Sequence, residues 1–355
     1  MNGRAPAPRY AVVIPTTGRP SLTRCLEALA GAAGPPPSRV VIVHDRPGSG
    51  GAVPELSVPE ALRPVTTVVA GRARGPAAAR NTGARRVGKV PWVVFLDDDV
   101  VPSATWGEDL ARDLAAASAR TAAVAARIEV PLPAGRRPTD GERNTAALAT
   151  ARWITADMAV RRQALNAAGG FDERFRRAFR EDADLALRLL AGGWELAQGA
   201  RLTAHPPRQA DRWISVRQQA GNGDDVLMGR LHGPHWRDPA GAPRGRLPRH
   251  RAVTVAACAA VACALAGRPR AAALCGALWF AGTAEFTVAR VLPGPRTRAE
   301  IVDMVLTSVV IPPVATWHWL RGSVAHRAAR PRGPARPPVV PVGLPRPSER
   351  PEAVS

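Results

Sequence analysis

Continuously apolar, β-branched runs recur through the first hundred residues, at 10–14 (YAVVI), 39–43 (RVVIV), 65–69 (VTTVV) and 91–96 (PWVVFL). Each is closed by proline, glycine or polar residues. A strand apolar on both sides is covered on both sides, as in a parallel sheet. Helical spacing falls between the runs. It predicts a helix over 21–33, with Leu22, Cys25, Leu26 and Leu29 on one face, and another over 76–87 after Gly75. Strand–helix alternation of this kind predicts an α/β domain with a mostly parallel central sheet. Further on, the pattern predicts a helix over 104–118, a strand over 121–130 and a Pro/Gly/Arg loop over 131–143. A helix over 161–168, another from Glu181, short strands within 194–205 and an amphipathic helix over 211–231 follow.

The texture then changes. Residues 238–250 read as a linker, and 251–322 as apolar helices. Within them 252–267 is uncharged, Arg268-Pro269-Arg270 interrupts, and 271–289 is apolar except for Thr283, Glu285 and Thr287. A third apolar stretch, 301–320, holds Asp303 near its start and Pro312-Pro313 in the middle. Residues 323–355 are rich in proline and arginine without a periodic apolar face, and are expected to be disordered. The expected division is therefore an α/β domain over 8–237, a linker, a helical region and a tail.

A chain of 355 residues has room for one large domain and an accessory part. Its formal net charge of +20 invites a nucleic-acid reading. Two observations weaken it. Lys89 is the only lysine, so the cations are almost all arginine, as GC-rich coding alone produces. The excess is also lopsided: 241–355 holds 16 basic and 5 acidic residues, the rest 33 and 24. Salt-sensitive binding to DNA or RNA is what that reading would require. Cys25, Cys258, Cys263 and Cys275 form no CxxC pair, and read as small hydrophobes in a reducing compartment. No apolar run precedes the first strand, so no cleaved leader is expected and the α/β domain is placed in the cytoplasm.

In an open parallel sheet, ligands bind beyond the carboxyl ends of the strands. The segments there are Pro15-Thr16-Thr17-Gly18-Arg19, His44-Asp45-Arg46, Gly71 through Gly75, and Asp97-Asp98-Asp99. Three carboxylates ending a buried strand repel one another and need a compensating cation. Hard divalent ions such as Mg²⁺ or Mn²⁺ take carboxylate oxygens and share their shell with phosphates, so the run reads as a metal–diphosphate site. The second constellation is GGFDERF at 169–175 followed by Arg180-Glu181-Asp182-Ala183-Asp184-Leu185. Glu181 and Asp182 either favour a helix N-terminus electrostatically or supply a general base.

At these residues the chain resembles the family-two glycosyltransferases, inverting enzymes of the GT-A fold. The matching pieces are VVIPTTGRP at 12–20, VIVHDRP at 41–47, GPAAARNTGA at 75–84, FLDDD at 95–99 and GGFDERF…REDADLALRLLAGGW over 169–194. The resemblance implies that Pro15, Thr16, Thr17, Arg19 and Asp45 hold the nucleotide, with Arg80 and Asn81 shaping the same pocket. It implies that Asp97 and Asp99 form the DxD motif that binds the metal and the sugar-nucleotide, with Asp98 also at the donor, and that Asp182 is the catalytic base. His205 falls where related enzymes place a metal ligand, or it is structural. His44 departs from the commoner acidic residue.

Asn222, Asp224 and Asp225 are candidates for acceptor contacts or plain helix surface, and a metal role for His232 and His235 is disfavoured for want of a nearby cysteine. QADRW at 209–213 fits the QxxRW pattern of processive synthases, but the surrounding membrane architecture is absent, so single transfers are expected. The implied partners are a nucleotide-sugar donor, an acceptor glycan or lipid-linked sugar and the membrane, with no nucleic acid. The implied setting is envelope or surface glycan synthesis at the cytoplasmic side of the membrane. A nucleotidyltransferase, the rival enzyme, needs a Gly-rich phosphate loop after the first strand, and PTTGRP is not one. Arginines at 244–251 and 290–298, with Trp317 and Trp319 near Arg321, flank the apolar helices as expected at a lipid interface.

Overall fold

The computed structural model describes residues 8–46, 48 and 53–333. In chain order the elements are β1 (Tyr10–Thr16), α1 (Ser21–Gly31), β2 (Val40–His44), β3 (Thr66–Ala70), α2 (Pro76–Arg86), β4 (Trp92–Leu96) and β5 (Val101–Pro102). Next come α3 (Trp106–Ala116), β6 (Thr121–Glu129), α4 (Asp140–Ala146), β7 (Asp157–Arg161), α5 (Arg162–Ala167), α6 (Glu181–Ala191) and β8 (Glu195–Ala204). The chain continues as α7 (Ile214–Gln218), α8 (Gly221–His232), α9 (Arg237–Ala240), α10 (Leu247–Leu265), α11 (Pro269–Val291) and α12 (Arg298–Ala325).

The strands form one sheet in the order β3-β2-β1-β4-β7-β6-β8-β5. β3, β2, β1 and β4 are mutually parallel, as their two-sided apolar character predicts. Alternate residues of β1 feed opposite cores. Tyr10, Val12 and Ile14 pack with Leu22, Leu26 and Leu29 of α1 and with Leu110 of α3. Ala11 and Val13 pack with Ala77 and Ala79 of α2 and Leu185 of α6. The small residues of α2 let it lie close on the sheet: a Cβ on Gly83 would sit 2.3 Å from Val13 Cγ1.

β7 runs antiparallel between β4 and β6 and was not legible as a strand. It is five residues long and begins with Asp157, which is 1% exposed. Burial of that carboxylate is tolerated because Trp106 Nε1 (2.6 Å), Thr203 Oγ1 (2.6 Å) and Arg201 Nε (3.0 Å) all donate to it. The helix expected over 211–231 breaks into α7 and α8, and 131–143, expected as a loop, ends in the start of α4. Thr139 caps α4: its hydroxyl accepts from Glu142 N at 3.3 Å, and Glu142 Oε2 accepts from Thr139 N at 2.7 Å.

Of the segment 238–250, α9 takes up the start and α10 begins at Leu247. α12 extends to Ala325, past the expected start of the tail. Beyond it Arg332 N donates to Leu231 O, and its guanidinium pairs with Asp172 and Asp184. The remainder of the expected disordered tail, 334–355, lies outside the described residues.

Candidate active site

The carboxyl ends of β1, β2, β4 and β8 deliver the candidate residues to one edge. Of the three aspartates after β4, the middle one turns inward. Asp98 is 3% exposed and accepts from Thr16 Oγ1 (2.7 Å) and Arg19 Nη1 (3.1 Å). Burial pushes its carboxyl above the usual carboxylate range. Thr16 and Arg19 are therefore engaged in fixing the loop. Asp97 and Asp99 are left on the other side of the turn.

Asp97, Asp99 and His205 each offer a ligand atom within 4.8 Å of the others. His205 follows β8, with its backbone N donating to Glu129 O at 2.7 Å. Its Nδ1 and both Asp99 carboxylate oxygens are buried without a hydrogen-bond partner. Arg208 pairs electrostatically with Asp99, and His205 Nε2 lies 3.7 Å from Asp99 Oδ1. Buried polar atoms are rarely left unbonded. Two hard carboxylates and an imidazole so placed fit a divalent cation.

Arg80, 2% exposed, ties this turn to α6. Its Nη2 donates to Asp97 Oδ1 at 2.6 Å and its Nη1 to Glu181 Oε1 at 2.8 Å. Burial and the neighbouring Asp182 charge push the Glu181 carboxyl up, against the pull of Arg80. Asp182 follows at the first turn of α6. Its Oδ1 accepts from Ala183 N at 2.7 Å, and among the described residues nothing bonds its Oδ2. Burial raises its carboxyl too. Asp184, the other acid of the motif, is fully buried between Arg188, His232 and Arg332. It is structural, and so is His232.

Replacing Arg80 by Met leaves Glu181 buried without its cation. The expected result is a loss of about 3–5 kcal/mol of stability, read by urea unfolding, with Lys restoring only part because it cannot bridge two acids as a fork.

Two cavities meet here. One of about 360 Å³ is lined by Pro15, Thr17, Asp45, Ala73, Asp97 and Arg208 among others. Asp45 closes its far side by accepting from Ala73 N (2.7 Å) and Gly75 N (2.8 Å). A Cβ on Gly71 would lie 2.2 Å from Asp45 Oδ1, so glycine is required there. The other cavity, about 510 Å³, is lined by Asp97, Asp99, Asp182, His205, Asn144 of α4 and Arg217 of α7 among others. Arg80, Asp97, Ala178 and Arg208 line both. A larger cavity of about 720 Å³ lies behind the Asn81–Phe171 contact and holds none of the three metal-ligand candidates.

Asn81 lines that rear cavity and does not reach the front pair. It pins the 169–175 loop by donating to Phe171 O (2.9 Å) and accepting from Phe171 N (2.8 Å). Asp225 is also turned away, pairing with Arg180 (2.8 Å) and Arg237 (2.6 Å). Asp224 is buried 3.7 Å from Arg177, and burial pushes its carboxyl up to about 6. Within QADRW, Gln209 lines the larger front cavity while Arg212 pairs with Asp303 of α12 at 3.1 Å. Arg208 and the α4 wall were missed from sequence. Neither has a local signature, since each reaches the site only through the loop paths around β8 and before β7.

A mixed α/β sheet with acidic residues and a histidine at its carboxyl edge, beside paired cavities, is an arrangement of the GT-A fold. Residues 11–179 match the model of Glycosyl transferase family 2. Among solved structures, the chain is similar to the mannosyltransferase PcManGT from Pyrobaculum calidifontis, solved in complex with GDP-Man and Mn²⁺. The identity is 19% and the TM-score 0.51, over 89% of this chain and 87% of that one. GalNAc-T7, solved with UDP, GalNAc and Mn²⁺, is 14% identical with a TM-score of 0.46, over 68% of this chain and 53% of that one. The chain thus spans about half the length of GalNAc-T7. No curated protein matches the sequence.

Proposed function

We propose that the protein is a metal-dependent, inverting glycosyltransferase that makes single transfers from a nucleotide-diphosphate sugar to an acceptor hydroxyl. The observation that carries this is the placement of Asp182 on the same cavity as Asp97, Asp99 and His205. The nucleotide fits the smaller cavity, between the Pro15–Thr17 turn and Asp45, and the acceptor fits the larger. Mg²⁺ or Mn²⁺, held by Asp97, Asp99 and His205, would neutralise the charge that develops on the leaving diphosphate. Arg80 holds Asp97 and the start of α6 in fixed relation, so the base and the acidic turn keep their spacing. Asp182 Oδ2 takes the proton of the acceptor hydroxyl as its oxygen attacks the anomeric carbon opposite the diphosphate. One displacement inverts that carbon, and no covalent sugar–enzyme bond forms. The 8–237 region is read as the catalytic domain and 251–322 as a membrane-associating region. The same reading has the domain at the cytoplasmic face of the membrane, in envelope or surface glycan synthesis, with a glycan or lipid-linked sugar as acceptor.

The test is a panel of UDP-, GDP- and dTDP-sugars incubated with full-length protein and Mn²⁺, scored by release of the nucleoside diphosphate. One donor should stand at least tenfold above the rest. Equal background release from all of them would count against a donor site.

A further inference from the structure

Length and mean hydropathy mark both α11 and α12 as able to cross a bilayer. Their packing separates them. α12 touches the catalytic domain near both ends. Asp303 pairs with Arg212 at 3.1 Å, and a Cβ on Gly322 would lie 2.7 Å from Gly223 Cα of α8. At about 1.5 Å per residue these anchors lie about 28 Å apart, close to the ~30 Å of a hydrocarbon core. If α12 spanned that core, α7 and α8 would be drawn into it with Arg217, Asp224 and Asp225, which lipid does not tolerate.

α12 is also two-sided. Met304, Thr307, Ser308, Ile311, Ala315 and Gly322 are buried. On the opposite face Val302, Leu306, Val309, Trp317, Leu320 and Val324 form a stripe, each 42–65% exposed. The spacing of that stripe is three or four residues within each half, with a step of eight from Val309 to Trp317, which keeps it on one side of the helix. The hairpin of α10 and α11 behaves differently. Its buried residues are His250 at the start of α10 and Thr283, Phe286 and Arg290 at the end of α11. Both ends meet α12: Thr254 bonds Thr316 at 3.2 Å, Arg251 stacks 3.9 Å over Trp319, and Arg290 donates to Thr307 at 2.7 Å. Between those ends, Val261, Leu265, Leu274, Leu278 and Phe280 are 58–85% exposed.

We infer that α12 lies in the plane of an anionic lipid leaflet, sandwiched between that leaflet and α7–α8, and that only the α10–α11 hairpin enters the hydrocarbon. This rests on the membrane reading above and fixes its geometry. The charge pattern agrees. Arg249, Arg251, Arg296, Arg298 and Arg321 lie at the ends of these helices, where anionic headgroups would meet them. From Ala252, 16 apolar residues reach about 24 Å before the Arg268/Arg270 turn. That is short of a full core, so the tip arginines snorkel toward the far headgroups. The arrangement also fixes the acceptor side. Asp140 at the start of α4 accepts from Arg290 at 2.7 Å, and its backbone N donates to Glu300 Oε1 at 2.8 Å. α4 walls the larger cavity, so that cavity sits beside the lipid surface, favouring an acceptor presented from it.

The experiment is depth measurement by nitroxide labels in full-length protein, reconstituted in vesicles of phosphatidylcholine and phosphatidylglycerol. Labels go singly onto Val302→Cys, Val309→Cys and Leu320→Cys, with the native cysteines replaced, and onto native Cys258 in α10. Oxygen against a water-soluble nickel chelate reads depth. The expected result is a common shallow depth for the three α12 sites, within about one helical turn, and a deeper Cys258. A spanning α12 would separate Val302 and Leu320 by about 27 Å of depth and would overturn the in-plane placement while leaving the membrane reading intact. Free access of the chelate to Cys258 and to all α12 sites would overturn the membrane reading itself.

Discussion

Asp182→Asn is expected to lower turnover by roughly two to four orders of magnitude, the range for losing a general base, while leaving nucleotide binding within a few-fold. The amide keeps the shape and can still accept from Ala183 N through its oxygen, so α6 should start as before. It cannot take a proton at the position of Oδ2. The wild-type pH profile carries the same signature. The base works only ionised, and burial raises the Asp182 carboxyl above the usual range. Activity should therefore fall as pH drops through that raised value, at higher pH than an exposed aspartate would give, and Asp182→Asn should lose this limb. Asp184→Asn is the control. Its carboxylate is locked between Arg188 and His232, so it should cost stability rather than the acid limb. Turnover of Asp182→Asn within a few-fold of wild type would move the base elsewhere, with Glu181 next.

The parallel half of the sheet was legible because each strand is a closed apolar run, and FLDDD marked its chemical edge without help from other residues. β7 was not, because its burial depends on partners from α3 and β8 that no local pattern shows. The structure gathers most of the motif residues at one edge of the sheet, but which of them hold the loops in place was not legible. Thr16, Arg19, Asp45, Arg80 and Asn81 stood in the sequence as pocket residues. Each spends its polar atoms on the loops that shape the pocket: on Asp98, on the Ala73–Gly75 backbone, on Asp97 with Glu181, and on Phe171. Hydropathy likewise made α11 and α12 alike. Only tertiary contact tells a helix with one face on protein from one in a nearly free hairpin.

Removing the cation should be as damaging as removing the base. With EDTA, donor hydrolysis and transfer should vanish, returning on addition of Mn²⁺ or Mg²⁺. Asp99→Ala should abolish both irreversibly, because it deletes the buried carboxylate whose oxygen lies within 4.8 Å of the ligand atoms of Asp97 and His205. His205→Ala should weaken rather than abolish the effect, since two carboxylates remain, and a higher Mn²⁺ concentration should recover part of the rate. Asp98→Asn should behave differently again. Its partners are Thr16 and Arg19, so it should loosen the turn and lower stability more than it alters the metal requirement.

The proposed cation–diphosphate site is the turn after β4 together with His205. Mn²⁺ binding to the full-length protein, followed by loss of the free-ion EPR signal with and without a nucleoside diphosphate, tests it without needing the acceptor. One ion per chain is expected, held at least tenfold tighter when the active donor's nucleoside diphosphate is present, and Asp99→Ala should bind none above background. Equal Mn²⁺ binding by wild type and Asp99→Ala, or donor turnover by wild type with no ion bound, would contradict it.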